Sequence, residues 1–252
     1  MMKRVLILGG TGDASALAAK ASTLPGVEVR VSLAGRTPQP LPIAGIVRVG
    51  GFGGVAGLTQ YLRDEAIDFL IDATHPFAAQ ISFNAAAAAA ELGMPRLMLV
   101  RPAWHLVPGD QWIDVDSMAA AADALEEQAK RVFLTIGRQQ LAPFARLHEI
   151  WFLIRLINQP EPDAVVPEGL LLFSQGPFDL TAERQLLMEH EIDTIVTKNS
   201  GGSATYAKII AARELGIKVV MVRRPTIPQG EQVQDVEEAF AWLVGQPING
   251  QR

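Results

Sequence analysis

The sequence predicts an α/β protein made of two parallel-sheet domains related by internal duplication. Three observations carry that prediction. Asp68 to Pro102 and Asp193 to Pro225 run through the same succession: Asp, an apolar strand, a polar loop, an Ala-rich helix, Glu-Leu-Gly, a second apolar strand and Arg-Pro. Matches extend beyond this block, since Lys3-Arg4-Val5 ahead of Gly9-Gly10 pairs with Lys130-Arg131-Val132 ahead of Gly137, and Asp114-Val115-Asp116 pairs with Asp235-Val236-Glu237. A period of this length is too long for a solenoid unit and fits two copies of one α/β domain. Finally, apolar strands alternate with helical segments, which implies mostly parallel sheets with helices on both faces. The site is expected where the matching loops of the copies have diverged.

The elements follow in order. Strand Arg4 to Leu8 enters the turn Gly9-Gly10-Thr11-Gly12-Asp13, and a helix runs from about Ala14 to Ser22. Strand Val27 to Leu33 shows apolar–polar alternation. A Pro-rich loop then leads to strand Ile46 to Val49, the run Gly50-Gly51-Phe52-Gly53-Gly54 and a helix from about Val55 to Glu65. Strand Phe69 to Ile71, helix Ala78 to Leu92, strand Leu97 to Val100, strand Trp112 to Val115 and a helix from Ser117 to about Gln128 complete the first copy. The second copy has strand Val132 to Ile136, a helix near Gln139 to Arg146, strand Ile150 to Ile157, a loop from Asn158 to Gly169 and strand Leu170 to Phe173. Helix Leu180 to His190, strand Thr194 to Thr197, helix Ala204 to Leu215, strand Lys218 to Val222 and helix Val236 to Val244 close it. The domains are expected at 1–129 and 130–252, without a flexible linker and with room for C-terminal residues to cross over.

Composition narrows the function. Of 252 residues, 49% are hydrophobic and 19% charged, which suits buried parallel strands. The net charge of −5 and the lack of a Lys/Arg run argue against a nucleic-acid partner. The absence of cysteine excludes disulfides, thiolate metal sites and thiol catalysis. His105, His148 and His190 have no ligand spacing, so no metal is expected. The opening MMKRVLILGG reads as a first strand and not as a signal segment, and no apolar stretch approaches membrane-spanning length. A soluble cytoplasmic protein is expected, monomeric or weakly self-associating.

Five segments carry chemistry. Gly9, Gly10, Thr11, Gly12 and Asp13 lie between a strand and a helix, where bare backbone and a helix N-terminus receive a phosphate. Ser32 to Thr37 has no acid for ribose hydroxyls but offers Arg36 to a 2′-phosphate, favouring NADPH over NADH. Gly50 to Gly54 has more glycine than a turn needs, as if a flat group lay on Gly51, Gly53 and Gly54 with Phe52 stacked beside it. Asp72-Ala73-Thr74-His75-Pro76-Phe77 follows a strand, with Thr74 toward the cofactor and His75 a candidate proton donor. Its counterpart, Thr197-Lys198-Asn199-Ser200-Gly201-Gly202-Ser203, combines an ammonium, neutral donors and glycines before a helix, a design for anions.

Together these segments resemble the precorrin-6A reductase family of cobalamin biosynthesis over essentially the whole chain, the DATHPFA and TKNSGG segments being the most distinctive. The resemblance implies two Rossmann-like domains and NADPH-dependent reduction of one ring double bond of precorrin-6A, giving precorrin-6B. Hydride transfer needs no protein nucleophile; the protein holds nicotinamide and macrocycle together and excludes water. On this reading domain one binds NADPH. Arg138, Lys198, Asn199, Ser200, Gly201, Gly202 and Ser203 receive the carboxylate arms of the tetrapyrrole, and His75, Lys198 or water supplies the proton. A cobalt-bound macrocycle, a small substrate unrelated to corrins and a nucleotide-sensing module without turnover are the alternatives.

Overall fold

The structure is a computed structural model that describes residues 2–35, 42–126 and 128–246. Its strands are β1 (Lys3–Leu8), β2 (Val27–Leu33), β3 (Ile46–Val49), β4 (Phe69–Asp72), β5 (Arg96–Leu99), β6 (Trp112–Val115), β7 (Arg131–Thr135), β8 (Trp151–Leu156), β9 (Gly169–Phe173), β10 (Thr194–Lys198), β11 (Lys218–Val222) and β12 (Glu231–Val233). The helices are α1 (Gly12–Ala21), α2 (Gly54–Asp64), α3 (Ala79–Leu92), α4 (Met118–Asp123), α5 (Leu180–Glu189), α6 (Ala207–Leu215) and α7 (Val236–Val244).

Two six-stranded sheets form, ordered β3-β2-β1-β4-β5-β12 and β9-β8-β7-β10-β11-β6. Every pair in both is parallel. Each sheet therefore has the doubly wound order of the Rossmann fold, with its switch point beside the first strand. Central strands are apolar without alternation because helices cover both faces: Val5, Leu6, Ile7 and Leu8 are all buried, as are Phe69, Leu70 and Ile71.

The sixth strand of each sheet comes from the other copy of the repeat. β12 pairs with β5 (Gln232 opposite Met98), and β6 pairs with β11 (Val220 opposite Ile113). The compact units are accordingly residues up to Pro102 together with those from Pro225, and Ala103–Arg224. The expected division at 129/130 is thus corrected. Similarity marks the copies, whereas hydrogen bonding and packing define the units. Helix α7 secures the exchange in the first unit, where Ala239 and Leu243 share one buried cluster with Ala14, Leu17, Ala18 and Ala21 of α1.

Repeated residues do repeated work. Asp68 accepts from the Arg4 N–H at 2.8 Å and from Lys3 Nζ at 2.9 Å; Asp193 accepts from the Lys130 and Arg131 N–H groups, each at 2.9 Å. Each carboxylate satisfies backbone donors at the open start of its central strand. The two Glu-Leu-Gly triplets end α3 and α6 with Gly93 (φ 60°) and Gly216 (φ 67°) as left-handed caps.

Several expected boundaries shift. α1 starts at Gly12, inside the glycine turn, because Thr11 caps it by accepting from the Ala14 N–H at 3.1 Å. The helix expected near Gln139–Arg146 is two short 3-10 turns, Arg138–Gln140 and Ala142–Phe144, with Pro143 in the second. α4 ends at Asp123, short of Gln128. α6 begins at Ala207 and not Ala204, because Gly201 and Gly202 both hold left-handed backbone and Tyr206 closes a turn onto the Ser203 carbonyl at 3.1 Å.

The second unit buries a charged cluster. Arg155 meets Glu183 through two hydrogen bonds, 3.0 and 2.6 Å, and its guanidinium lies 4.0 Å from the centre of the Phe178 ring. Lys208, in the first turn of α6, is buried as well and donates to the Thr205 carbonyl at 2.7 Å. Burial lowers its pKa to about 7, Glu183 opposing the shift and Arg155 adding to it. An unfolded lysine keeps its ordinary value of 10.5, so between these values the unfolded chain holds more protons than the folded one and stability rises with pH. Urea denaturation across pH 6–10 should show wild type gaining on the order of a few kcal/mol relative to Lys208→Met. Parallel pH profiles for the two proteins would contradict the buried-amine assignment.

Candidate active site

In the first unit two glycine segments cluster at the C-terminal ends of the strands, where doubly wound sheets bind ligands. Gly9 is needed for packing, since a Cβ there would lie 3.1 Å from Val31 Cγ1. Positions 10 and 12 differ: a Cβ at either would meet nothing within 4 Å, so bare backbone faces open space at the start of α1. Thr11, expected on the cofactor, uses its hydroxyl structurally, donating to the Ala73 carbonyl at 2.8 Å while capping α1. Asp13 pairs with Arg101 at 3.4 Å, which places a cation next to the helix start.

The second segment is held by Arg48. Its guanidinium donates to the Gly50 and Gly51 carbonyls at 2.5 and 2.7 Å and lies 3.9 Å from the Phe52 ring centre. Phe52 also meets the Tyr61 ring edge-on at 5.2 Å and packs on the core under α2. The ring expected to stack beside a flat ligand is thus an internal anchor, shielded by Arg48. The backbone itself remains open, for a Cβ at Gly50, Gly51, Gly53 or Gly54 would touch nothing within 4 Å. Gly57 permits this loop, because a Cβ there would sit 1.7 Å from the Phe52 carbonyl oxygen.

At the end of β4, buried Asp72 accepts from the Thr74 hydroxyl at 2.7 Å and the Thr74 N–H at 3.1 Å. Thr74 is therefore turned inward onto Asp72. His75 Nδ1 accepts from the Phe77 N–H at 3.2 Å, an arrangement that places the ring proton on Nε2. Arg36 lies outside the described residues, directly after Gly35.

In the second unit the expected residues sort differently. Arg138 is drawn to the loop after β8, pairing with Glu161 at 2.9 Å and donating to the Gln159 carbonyl at 3.0 Å. Lys198 ends β10 and is half-buried. Asn199, expected to meet substrate, grips the backbone of Trp104: its Oδ1 accepts from the Trp104 N–H at 2.8 Å and its Nδ2 donates to the Trp104 carbonyl at 2.9 Å. Ser200, Gly201, Gly202 and Ser203 form a loop well ahead of α6, so the expected helix N-terminus is corrected to a free-standing turn. No cluster of three His, Cys, Asp or Glu residues that could hold a metal occurs among the described residues, and no helix there is long and apolar enough to cross a membrane.

The family model for precorrin-6x reductase CbiJ/CobK matches residues 4–244. The chain belongs to that family. It is 51% identical to the precorrin-6A reductase of Rhodococcus erythropolis over 96% of this chain and 98% of that one. It is 48% identical to the Mycobacterium tuberculosis precorrin-6A reductase over 98% and 99% of the two chains. Among solved structures, CobK precorrin-6A reductase superposes with a TM-score of 0.90 at 42% identity over 96% of each chain. The two-sheet α/β architecture is thus the family's own.

Sequence reasoning missed Arg48, Gly57, Trp104 and Arg224, all of which shape the loops of this family member. Arg48 has a local signal, a charged residue in the apolar strand that leads into the glycine run. Trp104 and Arg224 have none, because their partners are distant in sequence. Gly51 gives a clean probe of the first loop, as Gly50, Gly53 and Gly54 hold left-handed φ that any side chain would strain. Gly51→Val should keep its melting temperature within about 2 °C and weaken NADPH by about tenfold or more. Unchanged NADPH affinity by calorimetry would show the loop to be plain surface.

Proposed function

We propose that this chain is a precorrin-6A reductase that takes its hydride from NADPH and yields precorrin-6B. The observation that carries the reading is full-length similarity to proteins named precorrin-6A reductase, matched on the fold as well as the sequence. The relatives named above are precorrin-6A reductases, so the substrate assigned is the cobalt-free macrocycle. The chain is assigned to the cytoplasm.

NADPH, when bound, supplies a hydride to one carbon of a ring double bond, while a proton goes to its neighbour. The residues present fit it. Gly10 and Gly12 leave backbone uncovered at the N-terminus of α1, whose first-turn amides and dipole favour a pyrophosphate, with Arg101 nearby. The backbone of Gly50–Gly54, fixed by Arg48, offers a flat surface to a planar group. Arg36 follows β2, the position from which Rossmann proteins recognise the 2′-substituent.

The second unit is assigned to the macrocycle. Gly137-Arg138-Gln139 stands there in place of the Gly9-Gly10-Thr11-Gly12 turn, with fewer glycines to bring bare backbone to a pyrophosphate. Lys198 offers an ammonium to the acid arms of the substrate, and His75 Nε2 is the proton donor assigned to the first unit. Both roles ask the protein for placement and exclusion of water, not for covalent chemistry.

Arg36→Ala should weaken NADPH by about 1.5–3 kcal/mol, the value of a charge-assisted phosphate contact, and leave NADH almost unaffected. Titration of both cofactors onto both proteins decides it. Equal losses for NADPH and NADH would remove Arg36 from the 2′-phosphate.

A further inference from the structure

The Asn199–Ser203 loop is held by its carbonyls. Arg224 Nε donates to the Asn199 oxygen at 2.8 Å and Arg224 Nη2 to the Ser200 oxygen at 3.1 Å. Trp104 Nε1 donates to the Gly202 oxygen at 2.8 Å. Trp104 itself is fixed, its N–H and C=O both taken by Asn199 and its ring 5.0 Å from the Lys208 ammonium and 5.5 Å from the Tyr206 ring. Trp104 and Arg224 stand at opposite ends of the sequence of this unit, Ala103–Arg224, yet both converge on one loop.

Peptide planarity gives these bonds a consequence. In a trans peptide the C=O and N–H point in opposite directions. Arg224 holds the Ser200 oxygen, so the Gly201 N–H of the same peptide unit faces away from Arg224. Trp104 holds the Gly202 oxygen, so the Ser203 N–H faces away from the indole. The Ser200 N–H closes a tight turn onto the Lys198 carbonyl at 2.7 Å. Among the described residues, no hydrogen bond is donated by the N–H of Gly201, Gly202 or Ser203. Gly201 is buried, and a buried N–H without an acceptor costs free energy. Consecutive unpaired N–H groups beside a lysine form a concavity suited to an anion.

We propose that Trp104 and Arg224 are positioning residues: by holding the carbonyls of this loop they present the Gly201 and Ser203 N–H groups as paired donors to one carboxylate arm of the substrate. The proposal rests on the assignment of this loop to the macrocycle. Neither residue touches the reacting atoms, so their effect falls on substrate binding and not on hydride transfer.

Trp104→Phe keeps an aromatic ring beside Lys208 while removing the indole N–H and part of the ring's volume. It should raise KM for precorrin-6A about tenfold, with kcat within about twofold of wild type. Its NADPH affinity, measured by calorimetry without macrocycle, should be unchanged. With a precorrin whose arms are methyl esters, the difference in KM between wild type and Trp104→Phe should vanish; a difference that persists overturns the carboxylate. Lys198→Ala separates the two levels of the argument. If Lys198→Ala raises KM and Trp104→Phe does not, the positioning role is wrong and the substrate assignment stands. If neither moves KM, the loop does not receive the macrocycle and both fail. Should Trp104→Phe lose its circular dichroism, Arg224→Lys in the same assays carries the test, with the same rise expected and an unchanged KM overturning the role.

Discussion

Each sheet is completed by a strand from the other copy of the repeat, and this pairing is the constraint on which the rest of the structure depends. β12 completes the hydrogen bonding of β5, the Val100 N–H reaching the Val233 carbonyl at 2.8 Å, and β6 does the same for β11, with the Arg223 N–H on the Val115 carbonyl at 2.8 Å. Without these strands β5 and β11 would be open edges, with rows of unpaired backbone groups. Neither copy of the repeat is therefore a complete folding unit by itself. The chain passes from one unit to the other twice, after Pro102 and after Arg224, at the Arg-Pro pairs that end the matching block of each copy.

Within this frame the copies have kept what builds a Rossmann sheet and changed the loops at the C-terminal ends of the strands. Asp68 and Asp193 still bind backbone at the start of the central strands, and Gly93 and Gly216 still end equivalent helices. The opposite ends of the strands have diverged. In the first unit bare glycine backbone is exposed at the start of α1 and along Gly50–Gly54. In the second, Arg138 is folded onto Glu161 and the glycines have moved to the loop after β10, where Trp104 and Arg224 hold them. One duplicated fold thus offers two different surfaces, and on the proposed reading the first takes a dinucleotide and the second the acidic arms of the substrate.

The fold was legible because its signals are local. Periodicity, glycine turns and the repeat located every strand except β12, and most helices, to within a few residues. The crossing of C-terminal residues was anticipated, but the exchange of β6 and β12 as strands was not, since two similar copies carry compatible strands and nothing in the sequence says which partner each will choose. The open glycine backbone was legible for the same local reason, whereas the state of several side chains around it was not. Thr11, Phe52, Thr74, Arg138 and Asn199 all have suitable chemistry, yet their partners, Ala73, Arg48, Asp72, Glu161 and Trp104, take up those groups in the fold. Of these partners only Asp72 and Arg48 are close neighbours in sequence. A residue type at a strand end shows what chemistry is possible there; only three-dimensional packing shows whether the group is still available.

The central claim is that duplication produced one dinucleotide site and one macrocycle half. Calorimetric titration of the chain with NADPH, without macrocycle, tests it most directly. A single site per chain, lost in Gly51→Val and retained in Lys198→Ala, is the predicted result. Two equivalent sites, or one site lost with Lys198 and indifferent to Gly51, would contradict the division of labour.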